Sequence, residues 1–441
     1  MKDTDPSMPH VNETQGAVLP SQSFEVDPNQ PLGSEEIPRF LHKLPSKDSL
    51  SLASILSQQS EKVETIVKIN PSVIFVTPSR HEQTNFPRFA QIFNTLDANL
   101  PNDAALILYD NIRQGETFFA LETNSLNIPN LHLLRVFMPD ENLCIGRVRF
   151  EASTLALMLI NLMPPDPNRL LVFIDADVQG IRQPENLTNI LHSFRNFPSL
   201  DMVVDWWTHP KEALNSFPLL KIIHRFIRSY QFFREDNHLD SDLISSPGGP
   251  KIPVSYAFST IMRASSFAAI GGFNPNLTAN EDSALAIKLA ELRKSNLVQH
   301  MRYSRQLKQT TGIDHNLEIE IDPRRLLFLM ARGKTYAEIH TGNPQEIFHS
   351  WVLMEKKPRN WRELEKHLSP DEWQILKAPT VAEVQRQLND LIVNFFFLPQ
   401  QLSPERIQIG QKIVDHALQE SLSDTGFSGK TADNLKISVN D

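Results

Sequence analysis

The chain has 441 residues and a formal net charge of −9. That length exceeds one average domain and predicts a core of catalytic size with added elements. The acidic balance excludes a general polyanion binder, so no nucleic-acid partner is expected, and a lone cysteine, Cys144, excludes an intrachain disulfide framework and a cysteine-based zinc site. A reducing, cytoplasmic setting fits best.

Residues 1 to about 34 are polar, rich in Pro, Ser, Asn and acidic side chains, and lack the apolar core of a secretory signal, so a disordered arm is expected over 1–45. The most apolar stretches, 155–163 and 391–398, fall well short of the roughly 18–20 residues that span a bilayer as a helix, and no transmembrane segment is expected. After a helical stretch over 49–69, the β-branched run 72–77 (SVIFVT) stops at Pro78 and reads as a buried strand. Phe89, Ile92, Phe93 and Leu96 share a helical face. Further strands are expected at 104–109 (AALILY), ending at Asp110, at 131–137 (LHLLRVF) and at 170–174 (LLVFI), ending at Asp175, with a helix over 150–163 between the last two. Strands alternating with helices predict an α/β fold with a mostly parallel sheet.

Further on, 203–207 (VVDWW) reads as a strand, 219–233 as a basic amphipathic helix with Lys221, His224, Arg225 and Arg228 on its solvated face, 245–251 as a loop, and 256–263 as a strand. Beyond about 340 the pattern turns helical. Capping boxes stand at Ser369–Glu372 and Thr380–Glu383, Ser403-Pro404 has the form of another helix start, and Val381, Val384, Leu388, Leu391, Ile392 and Phe395 fall on one face. A helical appendage over 341–420 and a flexible tail over 421–441 follow.

Two carboxylates, Asp175 and Asp177, flank Ala176 where an apolar strand runs out. Ligands of open α/β sheets bind outside the carboxyl ends of the strands. Such a pair can converge on one hard cation, Mg²⁺ or Mn²⁺, whose other positions go to substrate phosphate oxygens and water; the same D-x-D can also merely cap a turn. A second acidic site lies in 271–289 (GGFNPNLTANEDSALAIKL): Gly271 and Gly272 permit a tight turn and close approach to a substrate, and Glu281-Asp282 open a helix whose dipole keeps a carboxylate ionised. An ionised carboxylate there suits a general base acting on a hydroxyl, or is an ordinary first-turn acid. Trp206 and Trp207 can stack on a sugar ring or pack in the core.

Over roughly residues 72–333 the sequence resembles the family 2 glycosyltransferases, in four ordered segments: Pro78-Ser79-Arg80-His81-Glu82 after the first strand, Asp110 at the end of the second, Asp175 and Asp177, and Gly271-Gly272-Phe273 followed by Glu281-Asp282 and Leu285. The resemblance implies a GT-A fold, Rossmann-like with a mostly parallel central sheet flanked by helices, over 46–340. It implies a nucleoside-diphosphate sugar donor, a hydroxyl acceptor, Mg²⁺ or Mn²⁺, and inversion. Asp110, with the Pro78, Arg80 and Glu82 turn, would face the nucleobase and ribose; Asp175 and Ala176 would lie by the ribose and metal, and Asp177 would ligate the metal. Asp282 would be the base, with Glu281, Gly271 and Gly272 on the acceptor side; Trp206 and Trp207, by residue type alone, are candidates for the same side. In the same resemblance Arg147 or Arg149 would meet the donor, His315 would be a third metal ligand, and Arg324 and Arg325 after Asp322-Pro323 would meet phosphate. A haloacid dehalogenase-type phosphatase with Asp175 as nucleophile is an alternative, although the residues after Asp177, Val178-Gln179-Gly180, lack that family's usual Thr. A catalytically degenerate scaffold is the non-enzymatic one.

Overall fold

A computed structural model describes residues 32–79, 82, 85–97, 104–110, 131–137, 144–236, 259–277, 281–293, 297–341 and 360–395, with a few isolated positions after 407. The expected features at Arg80, at 1–31, at 245–251, at Ser403-Pro404 and at 421–441 lie outside these residues.

Ten strands are described: β1 (Val73–Ser79), β2 (Ala104–Asp110), β3 (Leu131–Phe137), β4 (Leu170–Phe173), β5 (Val178–Ile181), β6 (Met202–Val204), β7 (Trp207–Thr208), β8 (Thr260–Arg263), β9 (Met301–Tyr303) and β10 (Ile319–Ile321). Seven of them form one sheet in the order β3-β2-β1-β4-β8-β6-β9. Its pairs are parallel except that β8 runs antiparallel to both β4 and β6. The remaining three form a small sheet, β5-β10-β7. The chain thus has the α/β architecture with a mostly parallel sheet that the alternating pattern predicts.

β1 and β2 are apolar almost throughout because helices cover both faces of a parallel sheet. Alternate residues serve different cores. Ile74, Val76 and Ile107 pack with helix Ile145–Asn161, whereas Val73, Phe75 and Leu106 pack with Phe89 and Phe93 of helix Phe86–Asp97 and with Ile190 and Phe194 of helix Asn186–Asn196. A third core joins helix Pro218–Asp236 to helices Arg324–Ala331, Tyr336–Thr341, Pro370–Lys377 and Val381–Phe395. Ser369 caps the third of these in the expected box, its hydroxyl accepting the Glu372 N–H and the Glu372 carboxylate accepting the Ser369 N–H.

Four expectations are corrected. Packed chain begins well before residue 46: Leu32, Ile37 and Phe40 are buried, and helix Glu36–His42 lies against helices Ala264–Ala269 and Ile145–Asn161. Val381 is 43% exposed although Val384, Leu388, Leu391 and Ile392 are buried; it is the first residue of the helix. His224 is 5% exposed and belongs to the interior, not to a solvated basic face. The expected strand 203–207 is two strands in two sheets. At Asp205 the chain leaves the large sheet, its N–H still donating to Ser259 O, and at Trp206 its carbonyl already accepts the Ile319 N–H.

Asp205 holds that switch by accepting the Leu317 N–H at 2.8 Å. Burial pushes its carboxyl up to about 7 against the pull of hydrogen bonds from Ser304 and backbone amides. A native pKa above the unfolded value means the folded chain binds the extra proton, so this contribution is full below the ordinary carboxylate range and fades as pH rises through about 7. Asp205→Asn, neutral at every pH, is expected to shrink the fall in melting temperature between pH 5 and pH 8; an unchanged fall would refute the assignment.

Candidate active site

β4 ends in the middle of the sheet, and Ile174, Asp175, Ala176 and Asp177 carry the chain past its carboxyl edge before β5 begins. Ala176 is 2% exposed and serves as packing between the two carboxylates. β5 pairs antiparallel with β10, Val178 opposite Ile321, so Asp177 and Asp322 leave the pair at the same end.

The acidic helix start meets this edge through one guanidinium. Arg149, on helix Ile145–Asn161, donates from Nη2 to Asp175 at 2.8 Å and from Nε approaches Glu281 Oε1 at 2.9 Å. The side chains of Arg149 and Glu281 are each 7% exposed. Desolvation is the largest influence on both: it raises the Glu281 carboxyl, with Arg149 pulling it back, and it opposes the charge on Arg149, which Asp175, Glu281 and Asp282 together hold in place. Helix Glu281–Arg293 is fixed at its other end too, where the Arg293 guanidinium donates to the fully buried Asp201 at 2.6 Å. Lys288 Nζ donates to Gly272 O at 2.8 Å between them. Asp282, one residue from the clamp, is partly exposed, and its Oδ1 accepts the Ser283 N–H at 2.8 Å.

Asp177 sits in surplus negative charge. Burial raises its carboxyl to about 7, Glu82 adds most of the like-charge contribution, Asp175 and Asp322 add less, and Arg324 offsets part. Asp322 is likewise raised, to about 6, by burial, against the pull of the Arg324 and Trp361 N–H groups, and its Oδ2 is buried with no close hydrogen-bond partner among the described residues. The Asp177 side chain is one-third exposed. Among the described residues no three His, Cys, Asp or Glu side chains stand close enough to cage an ion by themselves. An all-oxygen edge with uncompensated charge and open positions fits a hard divalent cation that completes its shell with ligand phosphates and water.

Several expected site residues stand elsewhere. Both nitrogens of His315 are taken, Nε2 by Ser193 Oγ at 2.8 Å and Nδ1 by Ile313 O at 2.7 Å, so it is a core histidine and supplies no metal ligand here. Arg147 faces outward: it pairs with Asp48 at 2.6 Å and with Glu151, tying an N-terminal helix to helix Ile145–Asn161. Residues two apart on a helix point to opposite sides, so Arg147 and Arg149 divide the labour, and the site takes the second. Trp206 and Trp207 are each 3% exposed, stacked on one another at 5.7 Å and hemmed in by His209 and His224. Their faces are covered and offer no platform to a sugar. Gly271 and Gly272, at φ 76° and 64°, end helix Ala264–Ala269 by donating to Ala268 O and Phe267 O. They position Phe273 against Phe173 and Phe267, and Gly271 itself is exposed with open space where a side chain would start.

Pro78 is buried inside β1, and its register partner Tyr109 leads to Asp110 at the end of β2, beside Ser79; the side chain of Asp110 lies outside the described residues. Glu82 reaches the site, accepting from Asn85 Nδ2 at 2.6 Å and lying 3.4 Å from Arg324 Nη2. A cavity of about 300 Å³ beside β5, lined by Arg88, Gln91, Gln179, Glu212, Glu320 and Arg362 among others, contains none of Asp175, Asp177 and Asp282.

No family model matches the chain, and no curated protein does. Solved structures similar to it include mannosyltransferase PcManGT from Pyrobaculum calidifontis in complex with GDP-Man and Mn²⁺, at 12% identity over 90% of this chain and 97% of that chain, TM-score 0.41. S. aureus TarS 1–349 matches at 12% identity over 82% and 88%, TM-score 0.35. Glucosyl-3-phosphoglycerate synthase from Mycobacterium tuberculosis in complex with phosphoglyceric acid matches at 12% identity over 67% and 85%, TM-score 0.34. Likeness this distant carries nothing about chemistry, which rests on the residues themselves.

Arg149 and Glu281 form a buried pair whose breakage strands a charge, at a cost of about 3–5 kcal/mol. Arg149→Ala and Glu281→Ala are expected to destabilise the chain and to be strongly non-additive in a double-mutant cycle followed by urea unfolding; simple additivity would mean the contact is idle.

Proposed function

We propose that this chain is a metal-dependent glycosyltransferase of the GT-A type, moving a sugar from a UDP- or GDP-activated donor to a hydroxyl acceptor. The observation that carries the reading is the Arg149 bridge from Asp175 to Glu281, because it draws the D-x-D edge and the acidic helix start around one cleft. Asp177 is the metal ligand, chosen for its partly exposed carboxylate and the acids gathered around it. Asp175 is oriented by Arg149 and lies by the donor. Mg²⁺ or Mn²⁺, when bound, supplies Lewis-acid stabilisation of the departing diphosphate. Asp110 and Glu82 stand on the nucleoside side.

Asp282 acts as general base. Its carboxylate takes the acceptor's hydroxyl proton as that oxygen bonds to the anomeric carbon and the bond to the diphosphate oxygen breaks, which inverts the configuration. Glu281 does not touch substrate in this reading; through Arg149 it sets where Asp282 stands. Held by a buried guanidinium, Asp175 is better suited to orienting a ligand than to nucleophilic attack, which disfavours the phosphatase alternative. Among the described residues no helix is long and apolar enough to cross a membrane.

Asp177→Ala and Asp282→Asn are each expected to lower transfer or donor hydrolysis by at least ~10²-fold, the scale of a lost acid–base or electrostatic contribution, without unfolding the chain. EDTA should abolish turnover and Mn²⁺ restore it. Undiminished activity in chelator, or in Asp282→Asn, would overturn the mechanism, and retained anomeric configuration by NMR would overturn the inversion.

A further inference from the structure

Arg324 reaches the carboxylate edge from a pinned backbone. Asp322 Oδ1 accepts the Arg324 N–H at 2.8 Å at the start of helix Arg324–Ala331, and the β5–β10 pairing fixes Asp322 beside Asp177. From there the guanidinium points between two acids, with Nη2 3.4 Å from Glu82 Oε1 and 3.7 Å from Asp177 Oδ2. The second distance is beyond hydrogen-bond length. Arg324 therefore offsets the charge of Asp177 through space, as its neighbour Arg325 also does, without a hydrogen bond to Oδ2. A guanidinium has no lone pair to offer a cation. It opposes a divalent ion arriving alone at Asp177, yet it is a good partner for the phosphate oxygens that a nucleoside diphosphate would bring to the same edge.

Resting on the donor-and-metal reading above, we infer that Arg324 is the resident counter-ion of the donor-free site, keeping metal affinity low until a nucleoside diphosphate arrives to draw its charge away. Metal and diphosphate then bind with positive coupling, and by linkage each strengthens the other by the same factor. Arg324 is a positioning residue in this scheme, and its removal has a signature opposite to damage. A site that is merely distorted binds Mn²⁺ more weakly, whereas one that has lost a competing charge binds it more tightly.

The test is Mn²⁺ binding to the full chain, read by electron paramagnetic resonance, with Mn²⁺ alone and with UDP or GDP added, for the unaltered chain, Arg324→Gln, Arg324→Lys and Asp177→Asn. Arg324→Gln is expected to bind Mn²⁺ alone roughly tenfold more tightly, since a full charge within ~4 Å of the ligand oxygen is gone, and to lose most of the enhancement by diphosphate. Arg324→Lys, keeping the charge, should stay near the unaltered chain. Unchanged or weaker Mn²⁺ binding in Arg324→Gln, while Asp177→Asn still abolishes it, overturns the counter-ion role and leaves the functional reading standing. Mn²⁺ binding that survives Asp177→Asn, or is missing from the unaltered chain with either diphosphate at millimolar metal, overturns the functional reading and this inference with it.

Discussion

Arg149 is where the molecule's separate acidic elements become one site. Its guanidinium spans the gap between Asp175, at the end of β4, and Glu281, at the start of a helix contributed by a distant part of the chain. Three charges buried together are costly unless each is paired. That cost makes the arrangement specific: Arg149 has few other acceptable places to be, and neither do the two acids. Helix Glu281–Arg293 is then held at one end by Arg149 and at the other by the wholly buried Asp201–Arg293 pair, which His300 and Ser266 also join. Asp282, the next residue along, is carried by the helix that this clamp holds.

Around that constraint the charges are unevenly matched. Asp175 and Glu281 share Arg149, whereas Asp177, Glu82 and Asp322 share Arg324 at longer range, with the buried Arg325 a second guanidinium acting on Asp177. The first group is held at close range, 2.8 and 2.9 Å from the guanidinium. The second gathers more acids than cations, and burial first, then the like charge of Glu82, makes Asp177 easier to protonate than an ordinary aspartate. An edge that is rigid on one side and under-neutralised on the other is suited to recruiting a cation and an anionic ligand together.

The small sheet is the less obvious part of this design. The chain departs from the large sheet at Asp205, supplies β7, and meets β10, which pairs with β5 immediately after Asp177. This second pairing brings Asp322 and Arg324 to the carboxylates. The tryptophans and histidines at the crossing, buried against one another, are the packing that the crossing requires.

What the sequence by itself determined is whatever depends on local period and composition. The apolar runs of β1, β2 and β4, the alternation with helices, the Ser369 capping box and the acidic residues at a strand end and a helix start all declare themselves within a few neighbours. Which side chain of Gly146-Arg147-Val148-Arg149 enters the site was not local information, because it depends on the segment being helical and on which side faces the sheet. His315, Trp206 and Trp207 look functional as isolated residue types; only the folded chain shows their polar atoms or ring faces already occupied. The partnership of Arg149 with Glu281, and of Arg324 with Asp177, likewise belongs to tertiary structure. Coulombic pairing depends on separation in space, and sequence spacing says little about that once strands cross between two sheets.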